Sequence, residues 1–241
     1  MAIDIDLFHF QLSDLETARV HLVGSVRRLK ANGELKGFFG LFTASPEIPG
    51  PPDEEALEED ARTESRTERR LREMLARMSY VFGVTCLEHL LEQCVREVLQ
   101  AQPQRVLGIG DWWRDGNLVR RQVVDGWSRD QVIAELVKSA VESFGKQPFT
   151  EVRKYFEKRL EVSWTPEWRE DLLRIVNLRN RAAHTLDFRE PADEEIVADL
   201  HTILRHGESI ARAVAAKHGL PLRSVTIDKE RAELLEEDEG V

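Results

Sequence analysis

Cysteine is scarce in this chain: only Cys86 and Cys94 occur among 241 residues. They stand eight residues apart in a stretch of helical periodicity, which separates them by about 12 Å along a helix axis. A disulfide cannot span that distance. No Cys/His cluster has zinc-ligand spacing, so both cysteines read as small buried hydrophobes, and a reducing cytoplasm is the expected compartment. Long apolar runs are missing, so no membrane span is expected. The opening MAIDIDLFHF has no basic segment leading into an apolar one, so no secretory signal is expected. Gly108-Ile109-Gly110 lacks the third glycine and the flanking strand and helix of a dinucleotide loop. His201 and His206 lie five apart with no third ligand in view, so neither metal nor cofactor is expected.

Excess positive charge is also missing. The net charge is −10, which argues against nucleic acid as a partner until its distribution is considered. Asp53 to Asp60 carries six acids and no base, and Asp228 to Val241 carries seven acids against Lys229 and Arg231. These two segments hold −11, which leaves the body at +1 and able to carry basic patches. Such acidic segments can repel RNA or shield a cleft. Hydrophobic residues at 41% and charged residues at 32% suit a folded chain with a well-solvated surface.

Helical spacing dominates what is present. Leu12, Leu15, Val20, Leu22, Val23, Val26 and Leu29 predict a helix over 12–30, capped by Ser13 or Asp14 and ended by Asn32-Gly33. Gly37 to Pro52 reads as a loop with the apolar stretch Phe38 to Phe42. A long helical pattern covers 53–100. Its first half has six arginines between Arg62 and Arg77 and projects into solvent; its second half turns apolar and forms core. Val106 to Gly126 reads as an irregular connection. Ser128 caps a helix closed by Gly145, a shorter helix covers 150–161, and Thr165-Pro166 starts another. Pro191 opens the last helix, which reaches Lys217 before Gly219. The expected fold is all-α, a helical bundle with long connections.

The most informative segment is Leu178 to His184, LRNRAAH. Arg179, Asn180 and His184 give the pattern R-N-x-x-x-H. Arg and His alone at this spacing are common in an arginine-rich chain; Asn directly after Arg lowers the chance expectation to about one in a hundred. The residue types fit metal-free RNA cleavage, in which the 2′-hydroxyl attacks the adjacent phosphate. A base near neutral pKa takes the proton, which suits His184. A fixed cation meets the charge on the phosphoryl oxygens, which suits Arg179. Asn180 and His184, four apart, share a helix face, whereas Arg179 and His184 diverge by about 140°. Arg174 and Arg181 are candidates to hold flanking phosphates. An apolar helix leads into the run, and Ala182 and Ala183 allow close approach of a second helix.

This segment resembles the signature of the HEPN superfamily of helical nucleases and nucleotide-binding proteins, and is similar to RiboL-PSP-type members. Tyr80 to Leu99 also looks like the earlier long helix of such proteins, with Glu88 inside its apolar face as a supporting acid. The resemblance implies a HEPN-like domain over 74–218, preceded by an amino-terminal helix, loop and charged arm at 1–73 and followed by an acidic tail at 219–241. It departs from many members in having Thr185-Leu186-Asp187-Phe188 directly after the histidine. What it implies is a homodimeric, metal-independent endoribonuclease of toxin–antitoxin or antiviral defence. RNA is then the substrate, and an antitoxin or defence-system protein the partner. The alternatives are a non-catalytic HEPN-like module that binds nucleotide or protein, and a helical adaptor whose charged arm makes the contacts. On a purely structural reading, Arg179 and His184 cap carbonyls at a helix end and contact Asp187 or Glu190.

Overall fold

A computed structural model describes residues 2–32, 54–103, 105, 126–185, 188 and 191–224, with the backbone alone over 54–64. Among the described residues there are six α-helices: α1 (Ile5–Ala31), α2 (Glu54–Ala101), α3 (Arg129–Gly145), α4 (Phe149–Tyr155), α5 (Pro166–His184) and α6 (Asp193–His218). A π-helical turn, Phe156–Leu160, follows α4 directly. Two two-residue strands, β1 (Ile3–Asp4) and β2 (Leu222–Arg223), pair in parallel with Ile3 opposite Leu222. The fold is all-α. The expected loop at 37–52, the tryptophan-rich connection at 106–125 and the acidic tail from Asp228 lie outside the described residues.

The helix ends follow local chemistry. Thr165 accepts a hydrogen bond from the Trp168 amide at 3.2 Å, with Pro166 at the first helical position. Ser128 and Gln131 cap each other reciprocally at the start of α3. Two starts differ from expectation. Helix α1 begins at Ile5, not near Leu12, because Asp4 accepts from the Leu7 amide at 2.8 Å and the buried face already starts with Ile5, Phe8 and Leu12. Ser13 and Asp14 are therefore interior. Helix α6 begins at Asp193, two residues past Pro191, where the Glu195 carboxylate accepts the Ala192 amide at 3.0 Å.

Helix α2 is the centre of the bundle. Its 48 residues extend about 72 Å at the standard rise, and α1, α3, α5 and α6 all pack on it. Tyr80, Val84, Leu87, Leu91, Cys94, Val95 and Val98 are fully buried along its second half. Two glycines permit close helix-to-helix approaches. A Cβ on Gly83 would come within 2.8 Å of Leu200, and one on Gly207 within 2.7 Å of the Phe8 ring. Bare backbone at these points lets α6 settle against α1 and α2. Both cysteines are free, and burial raises the pKa of each thiol; Cys94 is a core residue as expected, whereas Cys86 is only half-buried at the edge of the core.

Helix α1 belongs to this core and is not an appendage: Ile5, Phe8 and Leu12 join the same cluster as the residues of α2, α5 and α6. The expected boundary at residue 73 falls inside the continuous helix α2. The arginine-rich part of α2 is also tied in from Glu68 onward. Lys30 pairs with Glu68, and Arg72 of α2 converges with Arg19 and Arg27 of α1 on Asp193. That aspartate sits in the first turn of α6, where the helix dipole favours negative charge.

Candidate active site

The motif occupies the last two turns of α5. Leu172, Ile175, Val176 and Ala182 turn inward, which leaves Asn180, Arg181, Ala183 and His184 exposed. Arg179 lies on the border between the two faces. Its guanidinium forms an ion pair with Glu88 of α2, and Nη1 donates to Asn180 Oδ1 at 3.2 Å. Its Nε is buried with no hydrogen-bond partner among the described residues. Burial raises the Glu88 carboxyl above its ordinary value of 4.5, and the Arg179 charge opposes that rise. Glu88 thus pairs directly with an arginine of the motif.

His184 ends the helix, and no hydrogen bond joins it to a described side chain. It shares its exposed face with Asn180, while Arg179 turns toward α2. One chain therefore gathers Glu88, Arg179 and Asn180 into a connected group and holds His184 beside them at a diverging angle, as the helical geometry requires. Glu88 also lines a cleft of about 110 Å³, together with Glu92, His89 and Phe149 among others. Its two carboxylates make it a poor place for a phosphate.

The helix end is fixed by a residue that sequence reasoning passed over. Arg77 of α2 donates from Nη1 to the carbonyls of Ala182, at 2.6 Å, and Thr185, at 2.8 Å. Its Nε and Nη2 hold Glu73 Oε1 at 3.0 and 2.7 Å, and the guanidinium lies 5.0 Å from the Phe188 ring centre. These contacts satisfy carbonyls that a helix terminus leaves open, and place positive charge at the negative end of the dipole. In sequence Arg77 was one arginine of six in a charged run, and nothing tied it to a segment 105 residues away.

Arg174 stands differently from its expected place on the substrate. Its two terminal nitrogens grip the buried Asp199 carboxylate at 3.2 and 2.5 Å, and Tyr80 donates its hydroxyl to the same carboxylate at 2.8 Å. Burial and the Asp199 contact push the Tyr80 phenol upward, so it remains a donor. Arg174 keeps half of its side chain in solvent but has its guanidinium engaged. Arg181 is exposed, with no ion pair among the described residues.

No family model, curated protein or solved structure matches this chain. The chemistry of the site rests on its own residues.

Proposed function

We propose that this chain is a metal-independent endoribonuclease of the HEPN type, acting as a homodimer in toxin–antitoxin or antiviral defence. The observation that carries the reading is the connected set Glu88–Arg179–Asn180, with His184 exposed on the Asn180 face at a helix end clamped by Arg77. The neutral imidazole of His184 takes the proton of the RNA 2′-hydroxyl, whose oxygen attacks the adjacent phosphorus. The bond to the 5′-oxygen breaks, a proton is delivered to that oxygen, and a 2′,3′-cyclic phosphate remains. Glu88 orients the Arg179 fork, whose remaining N–H groups face the charge on the phosphoryl oxygens. Arg181 takes a flanking phosphate, and Arg174 supports the helix from its pair with Asp199.

A second copy completes the arrangement. Arg179 and His184 diverge on one helix, and a two-fold axis beside α5 brings the other chain's pair into the same groove. The second histidine then serves as the acid for the leaving oxygen. Met74, Met78 and Phe82 recur at every fourth position of α2, exposed by 43–50%, beside the stretch that carries Arg77 and Glu88. Such an apolar stripe suits contact with a second chain.

The test is RNA cleavage at 25 °C in excess chelator, with end-group analysis and sedimentation in parallel. The expected result is a dimer that leaves 2′,3′-cyclic phosphate, with cleavage abolished by Arg179→Ala and by His184→Ala while the helical circular dichroism stays unchanged. Mixing the two inactive variants should restore activity if the chains share a site. A His184→Ala protein that cuts as fast as wild type overturns the mechanism, and an active monomer overturns the shared groove. One observation favours a non-catalytic binding module instead: Arg174 and Arg179 are both engaged in ion pairs within the chain. On that reading the wild type leaves RNA intact.

A further inference from the structure

We propose that Glu167, Asp171 and His206 form a site for one first-row divalent transition metal that clamps α5 to α6. Glu167 and Asp171 are four apart on α5 and so lie on one face. His206 comes from α6, and one ligand atom from each of the three residues lies within 4.8 Å of the others. This spacing lets one cation touch all three once the side chains close by small rotations.

His206 carries the argument beyond a pair of surface carboxylates. Its side chain is 2% exposed, and Nε2 points at Asp171 Oδ2 from 2.8 Å. Nδ1 is buried and has no hydrogen-bond partner among the described residues. The contact with Asp171 is therefore all that compensates this imidazole for leaving water. A cation between Nε2 and the carboxylates replaces that one hydrogen bond with a coordinate bond and also draws in Glu167. His201, the other histidine of α6 considered for a metal, turns away to Glu16 of α1 at 2.9 Å. The two carboxylate ligands that the sequence did not reveal come from a separate helix, α5.

The charges around the site agree. Two carboxylates give −2. Arg174, one turn along from Asp171, is neutralised by its bidentate pair with Asp199, so a dication brings the site to neutrality. One imidazole and two carboxylates favour zinc or manganese over magnesium or calcium, which take oxygen ligands alone. With three protein ligands, water completes the coordination. The site is independent of the ribonuclease reading. Asp171 precedes His184 by 13 residues, about 20 Å along α5, too far for a metal here to touch a phosphate at the motif. Its effect is on stability, because it joins two helices at the end of α5 opposite the motif.

The experiment uses the full chain, stripped with chelator and dialysed. Calorimetric titration with zinc chloride should give one tight site per chain, with manganese weaker and magnesium undetected, following the usual affinity order. At a hundredfold excess over Kd, zinc should raise Tm by about 5–10 °C. Glu167→Gln, at an exposed position, and Asp171→Asn should each lower zinc affinity at least tenfold while leaving the metal-free Tm within a few degrees of wild type. His206→Gln would test the third ligand, and the two α5 variants keep the question open to refutation if that buried change fails to fold. Stoichiometric zinc binding unchanged in both α5 variants, or no binding by the wild type at micromolar zinc, overturns the site.

Discussion

Replacing Arg77 by methionine should loosen the last turn of α5 without disturbing the rest of that helix. Methionine keeps the apolar stem and removes the guanidinium, with its bonds to the Ala182 and Thr185 carbonyls. A hydrogen bond to a charged group contributes about 1.5–3 kcal/mol. Thr185 is exposed, so its carbonyl recovers water, whereas Ala182 is buried. The net loss is therefore about 2–3 kcal/mol, most of it from the Ala182 contact. At 1.4 kcal/mol per factor of ten, opening of this turn becomes roughly 30- to 150-fold more frequent. Native-state hydrogen exchange resolves this: protection of the Ala183, His184 and Thr185 amides should fall by that factor, while the Val176 and Asn177 amides keep theirs. Arg77→Lys should recover only part of the loss, because an ammonium cannot fork between two carbonyls and Glu73. Unchanged exchange at His184 and Thr185 in the methionine variant would refute the assignment of Arg77 as the clamp.

Further expectations concern the core and its buried charge. Phe8→Ala removes a ring packed against Gly207 and should cost about 3–5 kcal/mol in denaturant unfolding followed by circular dichroism, in one cooperative transition; a loss under about 1 kcal/mol would make α1 an appended arm after all. Glu97 is buried, and its carboxyl is raised above 4.5 by that burial, against the pull of the terminal ammonium and Arg96. The folded state therefore holds its proton at pH values where the unfolded chain has released it, so this group's contribution to stability is lost as pH rises above 4.5. Glu97→Gln should melt higher than wild type at pH 7, with the gap closing near pH 4; a gap independent of pH would show that charge burial is not the cause.

Much of the fold was legible in sequence because it depends on short-range rules. Apolar residues three and four apart fixed the helices, and Ser128, Thr165-Pro166 and Gly219 marked their ends through local hydrogen bonds and backbone preferences. The exceptions are instructive. The start of α1 was missed because Ile5 and Phe8 sit among acids and a histidine, and only their burial against α2 and α6 shows that they continue the apolar face. The domain boundary at residue 73 followed a change of composition along a helix that stays continuous.

For the site, sequence alone determined the identity and helical placement of Arg179, Asn180 and His184, since an α-helix sets their relative angles whatever surrounds them. It could not show their partners. Glu88, Arg77, Asp199 and His206 meet α5 only because α2 and α6 pack along it, and a pairing across 91 or 105 residues leaves no local pattern to read. The same packing decided that Arg174 grips Asp199 while Arg181 stays in solvent. Each arginine's charge is written in the sequence; whether it faces a substrate or a buried carboxylate depends on which helix face meets the core.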